Sequence, residues 1–556
     1  MQRNMAALAD NTHDLVIVGG GIFGICAAWD AALRGLNVAL VERGDFAEAT
    51  SANSFKIVHG GLRYLQHADL QRIRESSHER NILLRIAPHL VHPLPIVVPA
   101  YGHGKQGKEM LRAGLLAYDL LTLDRNRGIG DARQRIPNGR LLSLHETLEL
   151  FPDLERRNLT GSALFYDGQI YNPPRLAMAY LTSAVKVGVT AANYAEMTEF
   201  LRKGSRVVGV KARDGLTGEI LEIPARVVLN ASGPWAEHLL RLRMGLELSP
   251  KGVYSRDACF VTPRRLPGPC ALAVQGKTRD PDALLSRGER HLFLVPWRHY
   301  TLAGVWHAVH DGLPGDFTVT QRDLERFIEE INVAYPPFRL GLKDVSMWNA
   351  GLVPFGDNVP GASDLSYGKR SRIIDHSQIH GIEGLITMIG VRLTTSRRVA
   401  AKAVDLAVRK LARNAPKSST AVTPIHGGRI DCLDSFVNEG VAHRPAGVHV
   451  DTIRALLYNH GSEYKQILRY LESEPGLAEL IPSSTVLKAE VVHAVREEMA
   501  QKLADVVFRR TDLATGGNPG EAALRTCADL VGGELGWNEH RKAEELREVR
   551  ACFPSF

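Results

Sequence analysis

A glycine-rich turn between two short apolar segments is the feature that most constrains the fold of this chain. Residues 15–18 are apolar and rich in β-branched side chains, as expected of a strand buried on both faces, and residues 38–41 form a second such run. Between them, three glycines stand in G-x-G-x-x-G spacing: Gly19, Gly21 and Gly24. The first permits a tight turn, the second lets backbone approach a pyrophosphate, and the third lets a helix pack on the strand. The segment predicts a strand–helix–strand unit that binds a dinucleotide.

An acidic residue ends the second apolar run. Glu42 lies 42 − 19 = 23 residues after Gly19, close to the roughly 20 expected for the carboxylate that binds a ribose hydroxyl. The motif alone does not separate FAD from NAD. Because the unit lies at the start of the chain, we expect FAD as a resident cofactor. An ordinary glycine-rich turn in an α/β fold is the alternative.

The residues that follow point to a flavin. Residues 49–64 read ATSANSFKIVHGGLRY, which is too polar and glycine-rich for another strand–helix repeat. This segment resembles the flavin-contacting segment of the FAD-dependent glycerol-3-phosphate dehydrogenases. The resemblance implies cofactor contacts from Thr50, Ser51, Ser54, Lys56, Gly60, Gly61 and Leu62.

Four later segments resemble the same family in the same order: 227–235 (VVLNASGPW), 293–297 (FLVPW), 390–397 (GVRLTTSR) and 490–510. They imply further cofactor contacts from Ala231, Gly233, Trp235, Gly390, Leu393 and Thr394. The implied fold is α/β, with a Rossmann-like FAD-binding domain, an antiparallel-sheet substrate domain of the D-amino-acid-oxidase type and a helical C-terminal domain.

The chain divides accordingly. We assign 1–80, 150–240 and 350–412 to the FAD-binding domain, 81–149 and 241–349 to the substrate domain, 413–428 to a linker and 429–556 to the helical domain. We expect a helix at 176–187, strands at 189–194 and 206–212, and mainly strands over 240–350. In 490–510, apolar residues spaced by three or four predict one helix with one buried face.

Composition is that of a large globular enzyme, with 44% hydrophobic and 23% charged residues. No apolar stretch reaches the roughly 18 residues that a bilayer-spanning helix needs, and the N-terminus lacks a signal-peptide core. The six cysteines are scattered without a C-x-x-C pair. They argue against a disulfide framework and a zinc site and are typical of a reducing cytoplasm, so we predict no metal and a cytoplasmic location.

The formal net charge is +7, which favours anionic partners. No run of five or more like charges and no nucleic-acid motif is present, so we predict no nucleic-acid partner. Residues 105–135 mix basic and leucine-rich positions. This segment is either an amphipathic helix on a lipid interface that collects a quinone, or a buried helix of the substrate domain with a solvated end. The family resemblance implies a quinone acceptor and peripheral attachment to the cytoplasmic membrane; a homodimer is also an expected assembly.

The chemistry implied by the resemblance is oxidation of a secondary alcohol. Hydride leaves the carbinol carbon for the flavin while a base takes the hydroxyl proton. His59 has the right titration range for that base, although a purely structural contact is the alternative. Arg63 would stabilise developing alkoxide or hold an anionic substrate, and Arg392 would contact substrate. Gly60 and Gly61 would let backbone lie against the flavin ring.

The substrate wall departs from the family pattern. Arg392 replaces a lysine, and Val353 stands where the family has an arginine, a lost contact worth about 1.5–3 kcal/mol. Gly304-Val305-Trp306-His307 replaces G-T-T-D, and Lys251-Gly252-Val253-Tyr254 replaces K-G-S-H. Trp306 would add bulk and an apolar face, which suits a larger or less charged substrate. The predicted wall is Arg63, Tyr64, Tyr254, His307, Val353 and Arg392.

Three functions fit these residues. The first is oxidation of glycerol 3-phosphate, with Arg392, Arg63 and His307 sharing the phosphate. The second is a diverged dehydrogenase or oxidase of another polyol phosphate or hydroxy-metabolite. The third is a flavin-binding protein without turnover that acts as a sensor or partner subunit.

Overall fold

The computed structural model describes residues 1–104, 107–248, 253–277, 290–355 and 370–554. Lys251 and Gly252 of the predicted substrate wall lie outside these residues, as does Lys105 at the start of the basic, leucine-rich segment.

The strands, numbered along the chain, are β1 (His13–Val18), β2 (Val38–Val41), β3 (Ile57–Val58), β4 (Val91–Tyr101), β5 (Arg140–Leu142), β6 (Leu159–Ile170), β7 (Thr190–Ala192), β8 (Ala195–Lys203), β9 (Arg206–Asp214), β10 (Ile220–Asn230), β11 (Val253–Thr262), β12 (Ala271–Gln275), β13 (His291–Trp297), β14 (Tyr300–His310), β15 (Met347–Phe355), β16 (Arg372–Asp375) and β17 (Leu385–Ile389).

The α-helices are α1 (Ala6–Ala9), α2 (Ile22–Leu33), α3 (Leu70–Ile86), α4 (Lys108–Leu121), α5 (Leu144–Leu150), α6 (Pro173–Lys186), α7 (Ala236–Met244), α8 (Gln321–Ala334), α9 (His376–Ile379), α10 (Ser396–Lys410), α11 (Leu433–Ala442), α12 (Val450–His460), α13 (Lys465–Ser473), α14 (Lys488–Glu498), α15 (Leu503–Asp505), α16 (Glu521–Leu535) and α17 (Glu539–Ala551). None of those in the described ranges combines the length and apolar character that crossing a bilayer requires.

The first sheet has a parallel centre in the order β17-β10-β1-β2-β7. β1 and β2 are buried on both faces, as their uninterrupted apolar sequences predict. β16 adds an antiparallel edge, and β8 and β9 extend β10 as an antiparallel ribbon. α2, α6 and α10 pack together beside β1 and bury a shared apolar core. The predicted Rossmann-like unit is confirmed.

The second sheet runs in the order β15-β11-β14-β13-β12-β4-β6-β3, with β5 beside β6. Its pairs are antiparallel except β12 with β4, which are parallel. α8 covers one face through a cluster that includes Phe260 and Phe327. The predicted α/β fold with a largely antiparallel second sheet and a helical C-terminal domain is confirmed.

Two expectations about helices need correction. The region 240–350 is not only strands, because α8 begins at a capping box of Thr320 and Asp323 and buries Leu324, Phe327, Ile328 and Ile331. The single helix expected over 490–510 is broken. α14 ends where Met499 adopts a left-handed conformation, and the chain resumes as α15 and a π-helical turn, Val506–Arg510. The apolar spacing marked buried residues correctly but did not reveal the break.

The second sheet also draws on segments that the sequence division places in the FAD-binding domain. β3 and β6 lie within 1–80 and 150–240, yet both belong to this sheet. The segment 413–428 contains no helix or strand, as a linker should, but it is not loosely attached. Thr420 and Ile425 are buried against the core that includes α2 and α10.

Histidines are buried where the second sheet meets the C-terminal helices. His89 lies beside Gly427 and Gly461, where a Cβ would be 3.0 Å and 2.9 Å from its ring and closer still to backbone oxygens. The His92 ring lies edge-on to Tyr458 of α12 with centroids 5.4 Å apart. Burial lowers the pKa of His89 from 6.5 to about 3 and that of His92 from 6.5 to about 4. Both imidazoles are therefore neutral in the folded protein.

This burial predicts acid sensitivity. Below pH 6.5 the unfolded chain binds protons that the folded chain excludes, so the free energy of unfolding falls as the pH falls. Between pH 7.5 and 5 we expect a loss of about 2 kcal/mol for each of the two histidines, measured by urea unfolding. His89→Gln should remove about 2 kcal/mol of this pH dependence, whereas His540→Gln, at a side chain 83% exposed, should remove none. Parallel pH profiles for wild type and His89→Gln would contradict the assignment.

Candidate functional site

A cavity of about 1200 Å³ lies between the two sheets. One side is formed by residues that follow the carboxyl ends of β1, β2, β10 and β17, where ligands bind in open parallel sheets. The other side is one face of the second sheet, including residues of β4, β6, β11, β14 and β15. The cavity is thus built from segments that are far apart in sequence.

The glycine-rich turn has the geometry that its sequence predicts. Gly19 has φ +110°, a left-handed conformation that favours glycine. A Cβ on Gly24 would lie 1.9 Å from the Gly19 carbonyl oxygen, so this glycine allows α2 to pack on the turn. Gly21 lines the cavity, and a Cβ there would lie 3.3 Å from its nearest neighbour, the Ser51 hydroxyl. The amino end of α2 therefore opens into the cavity.

Glu42 sits at the end of β2 and lines the same cavity. Its carboxylate accepts hydrogen bonds from the backbone N–H of Gly20 at 2.6 Å and of Gly44 at 2.9 Å. Burial raises the pKa of this carboxyl, against the lowering effect of the two N–H donors. The side chain is fixed where a ribose hydroxyl is expected beside the turn.

Most of the predicted cofactor contacts meet at this cavity. Besides the turn and Glu42, its lining includes Thr50, Ser51, Ser54, Gly61, Leu62, Ala231, Gly233, Trp235, Gly390, Leu393 and Thr394. The Ser54 hydroxyl is buried without a hydrogen-bond partner among the described residues. An unsatisfied buried hydroxyl facing a cavity is costly unless a ligand satisfies it. The residues present therefore fit a dinucleotide such as FAD.

Besides Gly24, which lies against the Gly19 carbonyl, two predicted cofactor contacts do not line the cavity. A Cβ on Gly60 would lie 2.0 Å from Arg80 Nη1 and 2.3 Å from the Tyr118 hydroxyl, so the glycine makes room for these side chains rather than for a flavin ring. Lys56 is buried, its Nζ donates to Asn349 Oδ1 at 2.9 Å, and it lies over the Trp297 ring. Burial lowers the pKa of this amine. Both residues support the second sheet.

The three predicted catalytic residues, His59, Arg63 and Arg392, all line the cavity. The His59 side chain is half exposed, and its Nδ1 lies 3.7 Å from Asp167 Oδ2. Arg392 donates to the Ser76 hydroxyl at 3.0 Å and lies 5.2 Å from the centre of the Tyr64 ring. The structure brings together these side chains from segments more than 300 residues apart in sequence.

The predicted substrate wall is only partly in place. Val353 and His307 line the cavity, whereas Tyr254 and Trp306 do not. Trp306 points to the opposite face of the second sheet, where its ring stacks on Phe327 with centroids 6.2 Å apart. Its bulk therefore packs against α8, and its apolar face is not part of the cavity wall, contrary to expectation. Adjacent strand residues face opposite ways, which explains why His307 and Trp306 separate.

Sequence reasoning missed Asp257, which lines the cavity on β11 directly opposite His307 on β14. The two side chains are joined, with His307 Nδ1 2.7 Å from Asp257 Oδ1. The sequence does show that Ser255, Asp257 and Cys259 alternate along one strand, which could have indicated a shared face. The sequence does not show that this strand pairs with β14, because the pairing depends on the register of two strands separated by about 40 residues of sequence.

A group of potential metal ligands also exists, although the sequence predicts none. His460, His493 and Glu498 place ligand atoms within 4.8 Å of one another in the described part of the chain. Arg175 enters this group, donating to Glu498 Oε2 at 2.6 Å and contacting His460 Nδ1 at 3.0 Å. A guanidinium at this distance already neutralises the carboxylate and disfavours a second cation.

Comparisons with known proteins agree with the geometry. The profile of the FAD dependent oxidoreductase family matches residues 14–391, and that of the C-terminal domain of alpha-glycerophosphate oxidase matches residues 418–542. The chain is 30% identical to a glycerol-3-phosphate dehydrogenase of Synechocystis, over 100% of this chain and 99% of the relative. It is 31% identical to a glycerol-3-phosphate dehydrogenase of Mycobacterium leprae, over 96% of this chain and 86% of the relative.

A solved structure is similar over almost the whole chain. The glycerol-3-phosphate dehydrogenase of Bacillus halodurans, complexed with FAD, superimposes with a TM-score of 0.76 at 25% identity. The match covers 99% of this chain and 96% of that protein. Both domains and the helical C-terminal part are therefore shared.

The open position of Gly21 predicts a variant that folds without its cofactor. Gly21→Val places methyl groups in the cavity beside the α2 terminus, while the backbone there needs no glycine conformation. We expect a folded protein whose flavin absorbance falls at least tenfold. Gly533→Val, at an exposed helical glycine with no described atom within 4 Å of a Cβ, is the matched control and should stay yellow. Full flavin occupancy in Gly21→Val would show that the cofactor does not approach this turn.

Proposed function

We propose that this chain oxidises sn-glycerol 3-phosphate to dihydroxyacetone phosphate. The electrons then pass to a quinone-type acceptor. The chain belongs to the family of FAD-dependent glycerol-3-phosphate dehydrogenases. The observation that carries the proposal is a group of arginines in the cavity that also holds the glycine-rich turn: Arg63, Arg72 and Arg392.

The arginines surround one aromatic side chain. Arg72 lies 4.5 Å and Arg392 lies 5.2 Å from the centre of the Tyr64 ring. Two guanidinium groups stacked on one ring are held in fixed orientations, and planar guanidinium groups suit bidentate binding of phosphate. Arg72 is further fixed by Asp69 at 2.7 Å. The cavity thus offers a preorganised site for a dianionic substrate.

Val353 does line the cavity, so the arginine of the family pattern is absent from the wall itself. The arginines around Tyr64 supply positive charge from the segment 63–72 and from Arg392 instead. This placement supports a phosphate substrate without an arginine at position 353. It gives no reason to prefer a different hydroxy-metabolite.

Bound FAD supplies a two-electron acceptor for the hydride of the carbinol carbon. The residues of this chain hold the substrate phosphate, orient the carbinol carbon and accept the hydroxyl proton. Arginine charge also stabilises alkoxide character as the proton leaves. Apolar cavity residues such as Ile96, Phe165 and Phe293 exclude water from the reacting atoms.

The helix α4 supports a peripheral membrane site. Its inner face lines the cavity through Met110, Leu111 and Leu115. Leu116 and Leu120 on its outer face, with Leu123 just beyond its end, are 62%, 70% and 76% exposed. One helix therefore borders the cavity and presents an apolar surface to the outside, which suits docking on a lipid interface and entry of a quinone. Of the two interpretations of this segment, the exposed leucines favour the interfacial one.

The substrate proposal predicts that anaerobic glycerol 3-phosphate bleaches the visible absorbance of the purified flavoprotein. Arg392→Gln should raise the substrate KM by about 10- to 100-fold, the loss of one charge-assisted contact, with flavin content unchanged. Arg398→Gln is the matched control, because Arg398 also pairs with Glu75 but does not line the cavity. Wild-type flavin that stays oxidised would overturn the proposed substrate. An unchanged KM in Arg392→Gln would remove this residue from the phosphate site.

The membrane proposal predicts that replacing Leu116, Leu120 and Leu123 together by glutamine weakens binding to anionic phospholipid vesicles at least tenfold, measured by cosedimentation. Turnover with a water-soluble electron acceptor should stay within twofold. The control replaces three exposed apolar residues elsewhere, Leu216, Ile220 and Val422, by glutamine. Equal vesicle binding by both triple variants would show that α4 is not the docking surface.

A further inference from the structure

Five histidines line the cavity: His59, His67, His238, His291 and His307. Two of them, His59 and His307, lie near a carboxylate that also lines it. His59 Nδ1 is 3.7 Å from Asp167 Oδ2, beyond hydrogen-bonding distance. His307 Nδ1 is 2.7 Å from Asp257 Oδ1, within it. The two histidines therefore differ in how firmly a carboxylate holds the imidazole.

The carboxylate near His59 already has other partners. Asp167 Oδ1 accepts from the Gly60 N–H at 2.6 Å and from Arg80 Nη1 at 2.7 Å. The His59 side chain is 50% exposed. Its ring is thus neither fixed by Asp167 nor shielded from water.

The carboxylate beside His307 is arranged to hold an imidazole. The Ser255 hydroxyl donates to Asp257 Oδ1 at 2.6 Å, and Ser255 is fully buried. His307 itself is only 16% exposed. A carboxylate can only accept, so His307 Nδ1 must carry the hydrogen in this contact and the Nε2 lone pair is the basic position of the neutral ring.

The strand register relates His307 and Asp257 to residues 49–64, the predicted flavin-contacting segment. Asp257 lies directly opposite His307 on β14 and opposite Gly351 on β15. A Cβ on Gly351 would be 3.0 Å from Thr50, which belongs to the predicted flavin-contacting segment. The His307 backbone is therefore two strand spacings, about 10 Å, from Gly351, the residue that Thr50 contacts. Thr50, Gly351, Asp257 and His307 all line the same cavity.

We propose that His307 is the catalytic base of this enzyme, with Asp257 and Ser255 as its positioning residues. The proposal rests on the proposed function and assigns its proton-transfer step. His307 Nε2 takes the proton of the substrate secondary hydroxyl, and the O–H electron pair becomes the second bond of the carbonyl. The C–H electron pair leaves with its hydrogen as hydride to FAD, which gains two electrons. The imidazolium then releases its proton to solvent.

This assignment differs from the role given to His307 by sequence, which was a share of the phosphate. The assignment is also specific to this chain, because the G-T-T-D motif of the family has an acid where this chain has His307. A base fixed by a carboxylate resembles in logic the histidine–carboxylate pairs that orient imidazoles in other enzymes.

The test measures flavin reduction by glycerol 3-phosphate under anaerobic stopped flow across pH. In wild type, the limiting reduction rate should rise with pH through one ionisation, since the base must be neutral. His307→Gln should lower that rate at least 100-fold, within the usual contribution of general-base catalysis, and flatten its pH profile. Substrate affinity should change by less than threefold. Asp257→Asn should lower the rate at least 10-fold and shift the ionisation.

A second readout does not depend on turnover. In protein labelled with ¹⁵N-histidine, the His307 resonances, assigned by their loss in His307→Gln, should report hydrogen on Nδ1. Asp257→Asn should shift them toward the other tautomer. Hydrogen on Nε2 in wild type would overturn the proposal.

Matched variants separate the outcomes. His310→Gln alters a histidine on the same strand that does not line the cavity, and should leave the rate within twofold. A full-rate His307→Gln with a 100-fold loss in His59→Gln would assign the base to His59. A raised substrate dissociation constant with an unchanged reduction rate in His307→Gln would return His307 to the phosphate. Wild-type flavin that glycerol 3-phosphate does not reduce would instead defeat the proposed function, a result distinct from these.

Discussion

A buried carboxylate between two arginines holds the parts of this structure together. Asp45 follows the cofactor-site acid by three residues and is fully buried. It accepts from Arg509 Nε at 2.5 Å and from Arg510 Nη2 at 2.7 Å, both in the π-helical turn of the C-terminal domain. Burial alone would raise the pKa of Asp45, but the two arginines lower it to about 2. Removing one partner would leave buried charge unpaired, a loss of about 3–5 kcal/mol.

This ion cluster joins the helical domain to the loop after β2, although no described residue of that domain lines the cavity. Asp45 lies in the loop that also contains Glu42 and Gly44. In this loop the Glu42 carboxylate accepts a hydrogen bond from the Gly44 N–H. The same arginine, Arg509, also binds Asp505, which accepts from the Tyr194 hydroxyl at 2.6 Å. The C-terminal domain thus fixes the loop after β2 from behind. The helix breaks at Met499, and the π-helical turn that follows carries both arginines that bind Asp45.

The cavity follows from how the two sheets meet. The parallel strands end together, so the turns after β1, β2, β10 and β17 lie at one edge. The second sheet faces that edge with alternate residues, such as Asp257 and Cys259 on β11 and Val305 and His307 on β14. Phe260 and Trp306 lie on the opposite face of the sheet and pack under α8. One sheet therefore supplies the glycine-rich turn and the other supplies the cavity wall that faces it.

The cofactor unit could be predicted before any coordinates, because turn, strand and helix there depend on residues within about 30 positions of one another. Spacing alone grouped Gly19, Gly21 and Glu42, the family resemblance added further residues, and most of these residues line one cavity. Which face of a strand each residue occupies became clear only in the folded chain. Folding places Trp306 and Gly60 outside the cavity lining and joins Asp257 to His307. The physical reason is that strand register and close packing are set by contacts between distant segments, and a shift of one residue reverses every side chain.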